Sequence, residues 1–420
     1  MSAATQLQSS EGRLELAAKY ARRRRLILQL LPWVGLVLAI AAFLTLDWLR
    51  SNAIGRLAAA QLKNCGVHDL VRHHAFAPNC TAMYHWGGDS YQFATNDLGF
   101  RDERVREVPL ADSRPRLLIL GDSMTEGKLA WHSSFVGRIA DRFPQYDFLN
   151  GGVSSYSPSN YFNVARMVLD RGVEIDEVVV FIDISDVQDE ATYYRDADAS
   201  GAVLGPEPER FHVPLGTRIR MGIARHFLLI NYGLRFLERE LVVHGFYHLN
   251  TGPLGDAFDM ERGAWTYRKV DETRPYYEGY APLGVEAGIA REKAKMDRLY
   301  GMLADQHIPL SVVVYPHPAQ IAHDTPDSRQ VRIWRDWCAG KCNRFISLFP
   351  DIFAIKDQCP RVKPGCWYLN YFVFGDIHYN AAGNALLAEP VIKNIREDPP
   401  LKVSVDANAA PSTPITHILR

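Results

Sequence analysis

Leu117-Leu118-Ile119-Leu120-Gly121-Asp122-Ser123-Met124-Thr125-Glu126-Gly127 is the stretch on which the fold turns. Its apolar start is short and ends in a turn signal, the pattern of a strand buried on both faces. The strand empties into Gly121-Asp122-Ser123, which stands a hydroxyl at the carboxyl edge of a parallel sheet. That edge is where open α/β sheets bind ligands. Gly121 permits a close turn, and a following helix brings backbone N–H groups to Ser123.

Outward from this point, short apolar runs recur at Tyr146–Leu149, Val178–Ile182 and Leu310–Tyr315, with Leu369–Phe374 a weaker candidate. Between them the spacing predicts helices from Pro158 to about Asp170, from Val285 to Gln306, and from Asn380 through Leu387 toward Ile392. Alternating strands and helices imply an α/β domain on a central parallel sheet, over residues 96–396. Residues 191–280 fit no simple βα unit and read as an insertion rich in Tyr, Phe and Arg. Its aromatic residues include Tyr193, Tyr194, Phe211, Phe246, Tyr247, Trp265, Tyr276, Tyr277 and Tyr280. They are expected mainly to fill its own core, with some left to face a sugar ring or an acyl group.

The chain has 420 residues, 47% hydrophobic and 23% charged, which excludes a disordered polymer. Its 47 Lys+Arg against 48 Asp+Glu leave a formal charge of -1, with no bias toward nucleic acid. A mean hydropathy of -0.16 excludes a polytopic membrane protein but permits one span. Leu26 to Leu46 carries no charge, and a helix of that length reaches about 30 Å, enough to cross a bilayer. Arg22 to Arg25 abut it, so the positive-inside rule keeps the N-terminus in the cytosol. A signal peptide cleaved after Ala39-Ile40-Ala41 is the competing reading. The expected organisation is a basic N-terminus (1–25), a membrane-spanning anchor helix (26–48), a membrane-proximal segment (49–95), the α/β domain (96–396) and a loose tail (397–420).

All six cysteines, Cys65, Cys80, Cys338, Cys342, Cys359 and Cys366, follow the span. An even number on an exported side reads as disulfides, with Cys65 and Cys80 near in sequence and the other four pairing among themselves. Cys338, Cys342, Cys359 and Cys366 would suit a zinc site only if the chain faced the cytosol. His68, His73, His74 and His85 read as a solvated surface, since no ligand spacing recurs among them.

A second chemical segment lies near the other end, Phe374-Gly375-Asp376-Ile377-His378-Tyr379-Asn380. A serine hydroxyl becomes a nucleophile only when a base takes its proton, and a histidine base needs an acceptor to fix its tautomer. Asp376 is near enough in sequence to orient His378. His317, in Tyr315-Pro316-His317-Pro318, ends a predicted strand on the same edge and is a candidate substrate contact, with a structural role the alternative.

Taken together, these motifs resemble those of the SGNH (GDSL-type) hydrolases over about residues 96–396. The resemblance implies a three-layer α/β/α, flavodoxin-like fold carrying a Ser-His-Asp site. Family members act as esterases, lipases, thioesterases or carbohydrate O-acyl hydrolases and transferases. Carried over, it makes Ser123 the nucleophile, His378 the general base and Asp376 the acid. The segment Asn150-Gly151-Gly152-Val153-Ser154-Ser155 resembles the second block, which implies substrate contacts from Asn150 and Gly152. It also places Ser155 where the family has a glycine whose N–H faces the oxyanion. The third block has Ser185 where an Asn donor is usual, so the oxyanion hole is expected from Ser123, Ser155 and Ser185. Asp-x-His replaces the commoner Asp-x-x-His, a spacing also met in branches resembling polysaccharide O-acetyltransferases. Asn96-Asp97-Leu98-Gly99-Phe100-Arg101 resembles a stretch preceding the first block in many exported members.

The expected function is therefore hydrolysis of an acyl ester, above all an O-acetyl ester, on a carbohydrate or envelope component outside the cytoplasmic membrane. No cofactor or metal is implied, and the expected partners are an acylated carbohydrate or small acyl ester and the membrane. An acyltransferase using the same residues and a non-catalytic envelope binding protein are the alternatives.

Overall fold

The computed structural model describes residues 3–61, 65–86, 89–197, 201–205, 215–243, 260–267, 280, 283–360 and 365–402. The chain forms two compact units, Met1–Ala60 with His212–Leu237 and Gln61–Phe211 with Glu238–Arg420. Phe211, Phe246, Tyr247, Tyr276 and Tyr277 of the expected insertion, and the tail beyond residue 402, lie outside the described residues.

The first unit is built on one helix, Ala3–Gln61, which runs straight through the expected 26–48 boundaries. Within it Arg22–Gly55, with mean hydropathy 2.3, is long and apolar enough to cross a membrane. Leu30, Trp33, Val37 and Ile40 are all exposed, so no core among the described residues covers this apolar surface. Two further helices, Leu215–His226 and Leu228–Val243, follow. The buried Asp47 carboxylate accepts the N–H groups of Leu229 and Ile230 at 3.0 and 3.2 Å, capping the start of the second.

The described residues of the second unit hold twelve strands. They are β1 (Gly66–Asp69), β2 (His73–Phe76), β3 (Thr81–Trp86), β4 (Asp89–Thr95), β5 (Arg101–Asp102), β6 (Arg116–Leu120), β7 (Asp147–Asn150), β8 (Glu177–Ile182), β9 (Arg195–Asp196), β10 (Val203–Leu204), β11 (Leu310–Val314) and β12 (Arg344–Ser347). Eight form one sheet in the order β12-β11-β8-β6-β7-β5-β4-β3. The sheet is parallel from β12 to β7 and antiparallel from β7 to β3. The expected all-parallel sheet is thus corrected to a mixed one. The reason lies in residues 81–95, set apart by sequence as membrane-proximal, whose strands β3 and β4 join the sheet through the short β5, where Arg101 pairs opposite Asn150.

Every residue of β6, β8 and β11 is buried, as the near-continuous apolar runs require of strands covered on both faces. Leu117, Ile119, Phe148, Val179 and Phe181 point to one face, against Val136 and Ile139 of the helix Phe135–Arg142 and Val391 and Ile395 of the helix Ala381–Glu397. The helices Pro158–Asp170 and Val285–Ala304 pack together on the unit's other helical layer. Leu369–Phe374 is not a strand. Residues Cys366–Tyr371 are helical, because Trp367 and Tyr368 turn their rings inward against Phe372 instead of alternating across a sheet. Cys65–Cys80, Cys338–Cys342 and Cys359–Cys366 are disulfides, which removes the thiolates a zinc site would need.

Candidate active site

β6 ends at Leu120, and the chain turns at once into the four-residue helix Ser123–Glu126. The turn tolerates only glycine at its first position, since a Cβ on Gly121 would lie 2.1 Å from Thr125 Oγ1. Asp122 caps the helix by accepting the Met124 N–H at 2.8 Å. Behind the helix, Asn96 Oδ1 accepts the N–H groups of Leu98 and Phe100, each at 3.1 Å. This holds Gly99 at φ +77, where a side chain would meet the Phe76 carbonyl. The loop so formed sends Arg101, fully buried over Tyr91 and Phe93, to donate to the Glu126 and Leu129 carbonyls. Burial lowers the Arg101 guanidinium to about 10, still a cation at neutral pH. Sequence reasoning quoted this stretch without seeing that its arginine braces the segment after Ser123.

The other half of the site is the loop before the helix Ala381–Glu397. Asn380 caps that helix, accepting from Ala382 and Gly383 at 2.9 and 3.0 Å. The Tyr368 hydroxyl accepts the N–H groups of Gly375 and Asp376 at 2.9 and 3.0 Å and sits 2.9 Å from the Asp376 carbonyl. The Tyr379 hydroxyl donates to the Pro316 carbonyl at 2.5 Å, tying the loop to the end of β11. So held, Asp376 Oδ1 accepts from both the His378 N–H, at 3.0 Å, and ring Nδ1, at 2.5 Å. Because a carboxylate can only accept, the hydrogen sits on Nδ1 and Nε2 is left basic. Nε2 lies 2.8 Å from Ser123 Oγ. Burial raises the Asp376 carboxyl, but the hydrogen bonds and charge of His378 outweigh it and hold it below its ordinary value. The structure thus brings Ser123, His378 and Asp376 into one hydrogen-bonded line.

The other expected residues are placed differently. Asn150 is buried and braces the turns, donating to the Thr125 carbonyl at 2.9 Å and accepting the Gly152 N–H at 3.0 Å. Gly152 is itself packed against Thr125 and Glu126. His317 is buried too, with Nε2 2.6 Å from Asp183 Oδ2. Ser185 lies under the site, and its hydroxyl is 2.6 Å from Asp183 Oδ1 and 3.4 Å from Asp122 Oδ2. Its single proton goes to a carboxylate, because each acceptor it faces is one. Ser155 is exposed at φ +59, the left-handed conformation in which glycine is easiest. Its carbonyl accepts from the Tyr194 hydroxyl at 2.6 Å.

Asp122 and Asp183 share the Tyr315 hydroxyl, 3.1 Å from each. Two buried carboxylates so close cannot both ionise freely. Burial opposes the charge on Asp183, but His317 and Ser185 overcome it and hold that carboxyl below its ordinary value. Burial and then the Asp183 charge push Asp122 up to about 6. Among the described residues no group of three or more His, Cys, Asp or Glu side chains is arranged to hold a metal ion.

Trp86, at the end of β3, was not foreseen. Its indole meets the His378 ring edge-on with centroids 5.3 Å apart, and Lys128 Nζ lies 5.3 Å from its centroid. The histidines are also less solvated than expected. His73 and His74 are half-buried and hydrogen-bonded to each other, and His74 donates to the Ser154 carbonyl at 2.7 Å.

No family model and no curated protein matches the chain. Among solved structures it is similar to LAE5, an α/β hydrolase from the metagenome of Lake Arreo, at 13% identity and TM-score 0.34, covering 68% of this chain and 96% of that one. It is also similar to a catalytic mutant of Axe2, an acetylxylan esterase from Geobacillus stearothermophilus, at 11% identity and TM-score 0.36, covering 68% and 96%. A third is the psychrotrophic esterase EstA from Pseudoalteromonas sp., at 10% identity and TM-score 0.32, covering 67% and 97%.

Proposed function

We propose that the protein is a serine esterase of the SGNH type that hydrolyses acyl esters, above all O-acetyl esters of a carbohydrate or envelope component. The observation that carries this reading is the line Asp376–His378–Ser123, with contacts of 2.5 and 2.8 Å. Ser123 Oγ attacks the ester carbonyl while His378 Nε2 takes its proton, and Asp376 stabilises the imidazolium that forms. The protonated His378 then gives that proton to the departing alkoxide as the tetrahedral adduct collapses to an acyl-enzyme. Water, deprotonated by His378, attacks the acyl carbon and releases the acid and free Ser123. The backbone N–H groups of Ser123 and Ser155 serve as oxyanion donors. The Ser185 hydroxyl has no such part, since its proton is engaged by Asp183.

The apolar Arg22–Gly55 helix and the three disulfides support a membrane-anchored enzyme whose ester-cleaving unit works in an oxidising compartment. Arg22 to Arg25 at the start of the apolar run support a cytoplasmic N-terminus by the positive-inside rule. Labelling of the detergent-solubilised full chain with a fluorophosphonate tests the chemistry. Labelling of wild type that vanishes in Ser123→Ala is expected, and equal labelling of both would end this reading.

A further inference from the structure

The first unit contains a joint made by polar side chains. The helix Leu228–Val243 begins with N–H groups that no turn of its own can accept. Ser51 Oγ accepts that of Leu228 at 2.8 Å, and the Asp47 carboxylate accepts those of Leu229 and Ile230 at 3.0 and 3.2 Å. His226 Nδ1 donates to Asn52 Oδ1 at 3.0 Å, since an amide oxygen only accepts. Asp47 and Ser51 are both buried. Away from this joint, among the described residues, neither Leu215–His226 nor Leu228–Val243 packs along the helix Ala3–Gln61 or along the other. Both diverge from the long helix with their apolar side chains uncovered.

In the membrane-anchor reading the joint has a definite depth. The charge-free run Leu26–Leu46 fills the hydrocarbon, and Asp47 is the first charge after it. Asp47, Ser51 and Asn52 then stand at headgroup level, where the exposed Trp48 and Tyr232 suit an aromatic belt. Leu215 and Ile219 are four residues apart on one helix, and Leu229, Tyr232 and Phe236 follow at spacings of three and four on the next. Each set shares a helix face, and every one of these side chains is exposed, an apolar surface that soluble proteins rarely leave open. Between Leu215 and Leu237 stand Arg218, Arg220, Arg225 and Arg235, with no Asp or Glu. That charge decides what covers the surface. A second copy docked by two-fold symmetry would set arginines against arginines. A phospholipid interface offers acyl chains to the Leu and Phe side chains and phosphates to the arginines.

We propose that residues 215–237 form a membrane-interfacial element, pinned at headgroup level to Asp47, Ser51 and Asn52, whose apolar residues lie on acyl chains and whose arginines meet anionic lipid phosphates. The proposal rests on the membrane-anchor reading of Arg22–Gly55 for its depth, whereas lipid contact at each position is measurable by itself. All six cysteines are paired, so an introduced cysteine is the one reactive thiol of the unreduced chain. Tyr232→Cys, Phe236→Cys and, within the anchor, Leu36→Cys replace exposed side chains and cost no core packing. Each full-length variant is nitroxide-labelled and reconstituted in vesicles of phosphatidylcholine, alone or mixed with phosphatidylglycerol, with helix content checked by circular dichroism. Collision of the label with oxygen, which favours lipid, against a water-soluble nickel chelate reads its depth, and free label in buffer sets the aqueous limit.

The oxygen-to-nickel ratio is expected to be highest at Leu36→Cys, with Tyr232→Cys and Phe236→Cys between it and free label. Phosphatidylglycerol should raise the ratio at both helix positions, and Arg218→Gln with Arg225→Gln should abolish that rise. Water-like ratios at Tyr232→Cys and Phe236→Cys beside a lipid-like Leu36→Cys would overturn the proposal and leave the anchor standing. Labels at both helix positions shielded from both reagents would overturn it too, with spin–spin broadening marking a second copy and its absence a different protein partner. No response to phosphatidylglycerol would overturn the pairing of the arginines with lipid phosphate. A water-like Leu36→Cys beside lipid-exposed helix positions removes the anchor reading and upholds the lipid contact.

Discussion

Ser123 Oγ stands 2.8 Å from His378 Nε2, although 255 residues of chain separate them. One sits at the end of the central strand β6 and the other in the loop before the helix Ala381–Glu397, so a rigid sheet and a capped helix fix the distance between the proposed nucleophile and its proposed base. Such a pair works as a unit. Ser123→Ala and His378→Ala should each lower kcat for an acetyl ester by roughly 10⁴-fold or more, with the double variant little worse than either single. Steady-state kinetics of the three variants is the check. Losses that multiply in the double variant would show that the two residues act independently.

Asp376 should matter through the tautomer of His378. Asp376→Asn keeps the size of the side chain but can offer an N–H where Nδ1 needs an acceptor, so kcat should fall by roughly 10³–10⁴-fold. The folded carboxyl lies below its ordinary value because His378 outweighs burial. A depressed acid contributes stability above its unfolded value, near pH 4, and loses it as pH falls through the folded value. Melting temperatures from pH 7 to pH 3 should therefore show an acid loss below about pH 4 that is smaller in Asp376→Asn.

Asp122 carries the opposite sign. Its folded carboxyl, raised to about 6 by burial and the Asp183 charge, holds its proton more tightly than in the unfolded chain. Its stabilising effect is fully present below about pH 4 and is lost as pH rises through 6. At most about 3 kcal/mol is at stake. Asn at this position still accepts the Met124 N–H, so Asp122→Asn should flatten the stability profile between pH 4 and 7. An unchanged slope across that interval would show that Asp122 is not the group titrating there.

The sequence announced the parallel half of the sheet because β6, β8 and β11 are buried on both faces and their composition cannot be mistaken for a surface strand. It also pointed to Ser123, Asp376 and His378, which the fold brings into one hydrogen-bonded line. The antiparallel half stayed hidden. Strand β3 has the burial pattern of an exposed edge, and nothing local tells that Trp86 reaches His378. Ser185 was misjudged for a related reason. Its role depends on Asp183 and Asp122, one of them 63 residues away, and a hydroxyl's proton follows its nearest strong acceptor. Arg101 was legible as part of a motif, but its targets, the carbonyls of Glu126 and Leu129, exist only in the fold.

The Cys359–Cys366 disulfide leads directly into the helix Cys366–Tyr371, whose Tyr368 hydroxyl accepts the Gly375 and Asp376 N–H groups. A covalent link is thus two residues from the side chain that shapes the Asp376–His378 loop. Closing a loop of this size stabilises by about 2 kcal/mol in the chain-entropy model. Leaving buried N–H groups without an acceptor costs about 1–3 kcal/mol each. Cys359→Ser with Cys366→Ser, and separately Tyr368→Phe, should therefore lower kcat by at least about tenfold while helix content changes little. Removing Cys338–Cys342, which only closes the turn after the helix Arg329–Cys338, should cost much less activity. Reductant should reproduce the first result in wild type, with circular dichroism recorded beside turnover. Six freely reactive thiols in the unreduced native protein, or parallel loss of helix and activity on reduction, would break the link between this disulfide and the geometry at His378.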